Sequence, residues 1–198
     1  MKNYIPTINI SSLIKNNFNT TRSQQTIKKI EKACIEVGFF QVVGHGINIK
    51  KINNVCKIGN KFFNSSKANK NKLAPKKWNK KNKNLYRGYF PNTVNGKEGL
   101  DLGDLQIKPN NIKKYKSSYI EYLDLTKSLS VSSIKNLSNY FDDIYALSEI
   151  LFKGIIKLYK KDKKITNQAF SRLKTLSTLR FNYYPNQTKP VEISKQDG

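Results

Sequence analysis

Residues 37–47, Val-Gly-Phe-Phe-Gln-Val-Val-Gly-His-Gly-Ile, constrain the fold most because they form a short strand pattern between two helical patterns. Residues 39–43 combine aromatic and β-branched side chains in a run bounded by glycines, which predicts a buried strand. Gly38 suits the left-handed conformation that ends a helix, and Gly44 and Gly46 permit a turn that larger residues resist. Because helices flank the strand on both sides, we expect it to be central and buried.

Apolar residues at helical spacing predict helices over residues 20–37, 49–63 and 132–159. Thr21 or Ser23 would cap the first of these helices. The third keeps apolar residues three or four positions apart along its whole length, which is typical of a long amphipathic helix. The predicted buried faces are Ile27, Ile30, Cys34 and Val37 in the first helix, and Ile52, Val55, Cys56, Gly59, Phe62 and Phe63 in the second.

Two further strands are predicted, at residues 5–10 and 176–184, where apolar and polar residues alternate next to a proline. Residues 85–105 are rich in Gly, Pro and Asn, which predicts a loop or a loop with short strands. Ser65 or Ser66 is placed to cap a short helix after the second long one. The chain therefore mixes helices with short strands.

The formal net charge of +24 raises the question of a polyanionic partner. Nearly all the basic residues are lysines, with arginine only at positions 22, 87, 172 and 180, whereas phosphate and base-edge recognition favours arginine. Two interpretations are open: an A/T-rich coding composition, or a functional anion-binding surface.

The most basic run is residues 67–83, and it holds the only tryptophan, Trp78. Such a run could stack a base and neutralise phosphates. The alternative is a solvated connector in which Trp78 has a packing role.

The two cysteines, Cys34 and Cys56, do not form a Cys-x-x-Cys pair, so we expect free buried thiols rather than a disulfide or a zinc site. The N-terminal residues lack an apolar core of signal-peptide length, and no stretch has the length of a transmembrane helix. These features predict a cytoplasmic protein with no membrane contact.

Four stretches, in this order, resemble the non-haem iron oxygenases of the isopenicillin N synthase and 2-oxoglutarate dioxygenase family. One departure is Gly44, which stands where the family has Asn. The stretches are Gly-Phe-Phe and His-Gly-Ile within residues 38–47, Arg-Gly-Tyr and Lys-Glu-Gly-Leu-Asp-Leu-Gly within residues 87–103, the long helix, and Leu-Arg-Phe-Asn-Tyr-Tyr-Pro at residues 179–185.

The resemblance implies an α/β (α+β) chain, in which a helical N-terminal region with short strands leads into an incomplete double-stranded β-helix, or jelly roll. It implies a non-haem dioxygenase N-terminal region at residues 1–130, a long supporting helix and connector at 131–175, and the start of the jelly roll at 176–198. Because one jelly-roll strand would stand alone, we expect its apolar side chains, Leu179, Phe181 and Tyr183, to lack packing partners.

The function implied by the resemblance is that of the N-terminal part of an Fe(II)- and 2-oxoglutarate-dependent oxygenase, an oxidoreductase acting on a small molecule. Such enzymes couple oxidative decarboxylation of 2-oxoglutarate to oxidation of the substrate. Asn182 and Tyr184 match family residues that line the cosubstrate pocket.

Arg87 and Tyr89 match a segment near the mouth of the family's active site and are candidates for substrate contact. A structural interpretation is also open for both residues. In it, Arg87 pairs with Glu98 or Asp101, and Tyr89 fills the core.

The iron site of the family requires two histidines and one carboxylate, and this sequence has one histidine, His45, for which we expect a structural role. The family's His-x-Asp, distal His and Arg-x-Ser motifs are absent. We therefore expect a truncated chain, from a split or frameshifted reading frame or a fragment, that holds no catalytic residue or metal ligand and is inactive alone.

Fe(II) and 2-oxoglutarate would bind the full-length parent, with the missing C-terminal half as a possible separate chain. The alternative function is a non-enzymatic basic protein that binds nucleic acid or another polyanion.

Overall fold

The structure is a computed structural model that describes residues 5–15, 18–91, 96–114, 120–158, 170–172 and 176–185. Its elements are β1 (Thr7–Asn9), α1 (Ser11–Ile14), α2 (Thr21–Glu36), β2 (Gln41–Val43), α3 (Ile49–Phe63), α4 (Lys67–Asn71), β3 (Gly88–Phe90), β4 (Glu98–Leu102), α5 (Val131–Leu158) and β5 (Leu179–Tyr183), with short 3-10 turns at Ile112–Lys114 and Leu125–Lys127. The predicted strands and long helices are confirmed, with bounds that differ by a few residues at most ends.

The chain divides into two compact units, one of Met1–Ile49 with Asp142–Ser171 and the other of Lys50–Phe141 with Arg172–Gly198. The division at residues 1–130, 131–175 and 176–198 stays a prediction, and residues 186–198 lie outside the described part. Although α5 has 28 residues, no helix among those described combines the length and the apolarity needed to cross a membrane.

In the first unit, β1 and β2 form a two-stranded parallel sheet in which Ile8 pairs with Val42. Parallel strands need a crossover, and α2 provides it. The core of this unit consists of Ile8, Ile10, Leu13, Ile27, Ile30 and Ala33, with Leu147, Ile150, Leu151 and Ile155 of α5 packed against it.

The ends of α2 follow from local hydrogen bonding. Thr20, rather than the predicted Thr21 or Ser23, is the N-cap, and its side chain accepts a hydrogen bond from the backbone N of Ser23 at 3.1 Å. Ser23 is instead buried and donates its hydroxyl to the carbonyl of Ser12. At the other end Gly38 has a φ of 82° and donates its N–H to the carbonyl of Ala33, which confirms the predicted glycine terminator.

The prediction that the strand after Gly38 is central and buried is wrong. Phe39 is 71% exposed and Val43 is also exposed. Within the described residues β2 pairs with β1 alone, so only Phe40 and Val42 are packed against the core of this unit. The strand lies at the edge of a small sheet rather than between layers.

The predicted burial of the two cysteines is also wrong, because Cys34 and Cys56 are free and exposed. In α2 the buried face runs through Ile30 and Ala33 and leaves Val37 exposed. The apolar spacing of this helix is compatible with a buried face that includes Ala33 instead of its neighbour Cys34.

In the second unit, β3, β4 and β5 form an antiparallel sheet in that order. Alternate side chains point to one face, and those of Tyr89, Leu100, Leu102, Phe181 and Tyr183 belong to the core of this unit. Helix α3 contributes Val55, Phe62 and Phe63 to the same core, and α5 contributes Leu137.

β5 is docked on α3 through aromatic contacts. A Cβ built on Gly59 would lie 2.7 Å from Cδ1 of Phe181, so the ring occupies the space that Gly59 leaves. The Tyr183 ring stacks on Phe63, with centroids 4.9 Å apart and planes 6° from parallel. The expectation that Leu179, Phe181 and Tyr183 lack partners is therefore wrong, because α3 and β4 supply them.

Gly88, at the start of β3, lies so close to the backbone of Leu73 that a side chain at this position would clash. Its φ is +115°, and a Cβ there would lie 1.9 Å from the carbonyl oxygen of Leu73. That carbonyl accepts a hydrogen bond from the N–H of Tyr89, so the segment before the strand is held in contact with β3.

We predict that Gly88→Ala lowers the free energy of unfolding of the second unit by about 3 kcal/mol, because backbone strain and a clash with backbone act together. Urea denaturation followed by circular dichroism measures the change. Gly103→Ala is the control, since its Cβ would meet Arg87 at an ordinary 3.4 Å, and we expect little effect. Equal stability of the two variants would contradict the close approach at Gly88.

Candidate functional site

The sheet of the second unit has a face opposite the core, here called the open face, defined by Gly88, Phe90, Gly99, Asp101, Arg180 and Asn182. The register places these residues together: Gly88 pairs with Asp101 and Phe90 with Gly99, while Asp101 pairs with Arg180 and Gly99 with Asn182. The pleat directs alternate side chains to opposite faces, so the open face is distinct from the apolar one.

A cavity of about 270 Å³ lies on the open face. Trp78 and Phe90 form an aromatic corner in it, with ring centroids 5.5 Å apart and planes at 81°. A Cβ on Gly99 would meet no atom closer than 3.7 Å, so the cavity keeps free space above this residue. The lining residues are Trp78, Phe90, Pro91, Lys97, Gly99, Asp101, Arg180 and Asn182.

Asp101 and Arg180 form a two-point ion pair in this cavity. Nε of Arg180 donates to Oδ1 of Asp101 at 2.7 Å, and Nη2 donates to Oδ2 at 2.5 Å. Asp101 is 3% exposed, whereas the side chain of Arg180 is 58% exposed. The hydrogen bonds with Asp101, and then its charge, raise the pKa of Arg180, so the carboxylate is neutralised by a permanent cation.

Of the predicted cosubstrate residues, Asn182 lines the cavity on the open face. Tyr184 follows directly after β5 and is 67% exposed. The two residues predicted from one motif therefore differ in environment: Asn182 lines the cavity, and Tyr184, two positions later, has an accessible phenol.

The two candidate substrate residues lie elsewhere in the sheet. Tyr89 is buried on the core face and donates its hydroxyl to Oε2 of Glu98 at 2.8 Å. Nη2 of Arg87 donates to the carbonyl of Leu176 at 3.3 Å. Tyr89 fills the core, as the structural interpretation expected. The proposed pairing of Arg87 with Glu98 or Asp101 is wrong, because both carboxylates have other partners.

Glu98 is held by a buried lysine from the basic run. Lys70 is 8% exposed, and its Nζ donates to Oε2 of Glu98 at 2.7 Å and to the carbonyl of Phe63 at 3.0 Å. The Nζ also lies 5.4 Å from the centroid of the Tyr89 ring. The interpretation of residues 67–83 as a solvated connector is therefore wrong for Lys70, and Ser66 caps α4 as predicted.

Burial, and then the hydrogen bond and charge of Glu98, raise the pKa of Tyr89. The phenol thus stays a hydrogen-bond donor to Glu98. Lys70 belongs to α4, Tyr89 to β3 and Glu98 to β4, so their contacts connect these three elements on the core side of the sheet.

The segment that enters β3 is fixed by Glu121. Its carboxylate accepts three backbone N–H groups, those of Leu85 at 2.6 Å, Tyr86 at 2.9 Å and Arg87 at 3.1 Å. No spacing in the sequence predicts this contact, because it joins residues 34 or more positions apart.

The residues of this chain do not fit the iron triad of the family. The sequence has one histidine, and its Nδ1 accepts a hydrogen bond from the N–H of Ile47, the structural role expected for His45. Within the described ranges no group of three or more His, Cys, Asp and Glu side chains is placed to hold a metal ion.

The chain belongs to the non-haem dioxygenase family, since the family described as non-haem dioxygenase in morphine synthesis N-terminal matches residues 5–133. Jasmonate-induced oxygenase 3 of Arabidopsis thaliana is 30% identical over 195 residues, covering 94% of this chain and 48% of that protein. Isopenicillin N synthase of Streptomyces griseus is 25% identical over 197 residues, covering 92% and 55%.

Among solved structures, full-length Neurospora crassa T7H in complex with alpha-KG and thymine superposes with a TM-score of 0.67 at 18% identity, over 91% of this chain and 55% of that chain. The superposition confirms the predicted fold class, and the family match confirms the resemblance to non-haem iron dioxygenases, which are oxidoreductases. The chain spans about half the length of the curated relatives it matches.

We predict that Lys70→Met lowers the free energy of unfolding by about 2 to 3 kcal/mol, because it leaves the largely buried Glu98 carboxylate without its cation. Lys72→Met, at an exposed lysine two positions away, is the matched control and should change little. Urea denaturation of both variants measures the difference. Indistinguishable midpoints would show that the ion pair does not hold α4 to β4.

A second prediction concerns pH. Because the folded state raises the pKa of Tyr89 above its ordinary value of about 10, the associated stabilisation is complete below that pH and is lost as pH rises through the folded value. Absorbance titration of tyrosinate should show that Tyr89→Phe removes a component that ionises only at higher pH. Loss of a component near pH 10 instead would contradict the buried hydrogen bond to Glu98.

Proposed function

We propose that this chain is the N-terminal part of an Fe(II)- and 2-oxoglutarate-dependent oxygenase that acts on a small molecule. The observation that carries the proposal is the open face of the β3–β4–β5 sheet. There Asn182, from the family motif at residues 179–185, lines a cavity, and Tyr184, two positions later in the same motif, is exposed. The chain's membership of the non-haem dioxygenase family supports the same function.

Asn182 and Tyr184 would hold 2-oxoglutarate through neutral hydrogen bonds, since an amide N–H and a phenol O–H both donate to carboxylate or keto oxygens. Each such bond is worth on the order of 1 kcal/mol net, so two of them bind a dicarboxylate weakly. Bound 2-oxoglutarate would supply electrons for the reduction of oxygen while the substrate is oxidised. The complex of Neurospora crassa T7H with alpha-KG and thymine supports a cosubstrate and a small ring compound on this fold.

The iron ligands would come from residues outside this sequence, because its one histidine cannot provide two imidazoles. The partner that fits is the other half of the jelly roll, in the same protein or as a separate chain, since the matched relatives are about twice as long. The described residues would contribute the sheet, the cavity and the cosubstrate hydrogen bonds.

Direct substrate contact by Arg87 and Tyr89 stays a prediction, and their contacts support a positioning role. Tyr89 fixes Glu98 at the start of β4, and Arg87 ties the entry of β3 to Leu176, close before β5. Nothing supports the nucleic-acid alternative, and Lys70 and Trp78 of the basic run pack within the fold.

We predict that the 198-residue chain forms no succinate from 2-oxoglutarate with Fe(II) and oxygen, because the two-imidazole requirement is not met. Succinate is measured by mass spectrometry against a blank preparation. His45→Ala serves as the control for contaminating enzymes. Succinate above the blank that disappears in His45→Ala would overturn the ligand argument.

The proposed function is tested by reading the nucleotide sequence after the Gly198 codon in all three frames, where we expect His-x-Asp, a distal His and Arg-x-Ser. Joined to that segment, the chain should form succinate in an Fe(II)-dependent way. Tyr184→Phe should then weaken 2-oxoglutarate binding by about 5-fold, the equivalent of one neutral hydrogen bond. Absence of the motifs in every frame, or an active enzyme insensitive to this substitution, would contradict the proposed assembly or the role of Tyr184, respectively.

A further inference from the structure

The cavity on the open face has an excess of positive charge. Lys97 and Arg180 line it, and Asp101 is the one acidic residue in its lining. Because Nε and Nη2 of Arg180 already neutralise Asp101, the remaining Nη1 donors of the guanidinium and the Lys97 ammonium are left to act on a ligand. A third cation lies close by, since Nζ of Lys77 is 5.0 Å from the centroid of the Trp78 ring.

The shape of the cavity favours a flat ring. Trp78 and Phe90 stand at 81° to each other and form two apolar walls. Gly99 adds no side chain to the cavity floor between Phe90 and Asn182. The volume of about 270 Å³ exceeds the roughly 150 Å³ of a cavity that admits benzene, so a ring with a substituent fits.

From this combination we propose that the substrate of the assembled oxygenase is a planar, ring-containing small molecule that carries a carboxylate. The ring packs in the corner of Trp78 and Phe90, and the carboxylate accepts hydrogen bonds from Lys97 and Arg180. A charge-assisted hydrogen bond is about twice as strong as a neutral one, so the cations select an acid over its amide. That this ligand is a substrate rests on the proposed function. The preference of the cavity for an aromatic carboxylate is a property of this chain alone.

Trp78 provides the measurement, because it is the only tryptophan of the chain and it lines the cavity. The full 198-residue chain is titrated with benzoate, benzamide and cyclohexanecarboxylate while Trp78 fluorescence is recorded. We expect a saturable change with benzoate and binding at least about 5-fold weaker for the neutral amide, a difference of roughly 1 kcal/mol. The non-planar acid should also bind more weakly than benzoate.

Two variants locate the binding site, each with a matched control. Gly99→Val places a side chain in the cavity without backbone strain and should abolish the benzoate signal. Gly103→Ala, outside the cavity, should keep it. Lys97→Gln should weaken benzoate binding about 3-fold or more but leave benzamide unchanged, whereas Lys113→Gln, at an exposed lysine, should do neither. Circular dichroism confirms that each variant is folded.

Several outcomes would overturn the inference. These are no saturable change with any probe, equal affinity for benzoate and benzamide, or benzoate binding that survives Gly99→Val. Displacement of benzoate by an equal concentration of 2-oxoglutarate would assign the cavity to the cosubstrate instead. Failure of the succinate assay with the completed protein would refute only the oxygenase proposal. Failure of the benzoate titration of the 198-residue chain, when the completed protein does form succinate, would refute only the substrate class.

Discussion

The pairing of β4 with β5 is the interaction on which the second unit depends, because it joins segments about 80 residues apart in one sheet. Closing so long a loop costs conformational entropy, which the contacts made by β5 must offset. Burial of Phe181 and Tyr183 against α3 stabilises the core face, and the two-point contact of Asp101 with Arg180 fixes the register on the other. The position of Asn182 is a consequence of that register.

Elements with a local cause could be predicted from the sequence, and elements whose burial depends on distant partners could not. The left-handed φ of Gly38 and the cap at Ser66 follow from a few neighbouring residues. The exposure of Cys34 does not, because an apolar stripe on a helix can face the core at either of two adjacent positions. The exposure of β2 does not either, because the residue pattern of a strand does not show how many strands will pair with it. Hydrophobic patterning therefore predicted the positions of helices and strands better than it predicted their burial.

The candidate site divides in the same way. Asn182 was found because its motif is contiguous in the sequence. Asp101, Arg180 and Trp78 were missed as a group, since only the strand register and the fold of the basic run bring them together. Lys70 illustrates the limit most clearly: a lysine in a basic run is expected in solvent, and its burial depends on Glu98, 28 residues away. The one available signal was the alternation of Arg180 and Asn182 along a strand.

One face of this sheet provides most of the stabilising apolar contacts, and the other lines the cavity. Because of this separation, residues of the cavity can change without loss of the fold. The core face contains the apolar side chains, closed at one end by Lys70, Glu98 and Tyr89. Most of the burial that stabilises the unit therefore lies on the side away from the cavity. On the open face, Gly99 and Lys97 line the cavity and do not belong to the core cluster, so we expect their substitution to change the volume and charge of the cavity at small cost in stability. Asp101 is the exception, because it belongs to the cavity lining and also fixes the β4–β5 register. A change of ligand charge would thus begin at Lys97 rather than at the ion pair.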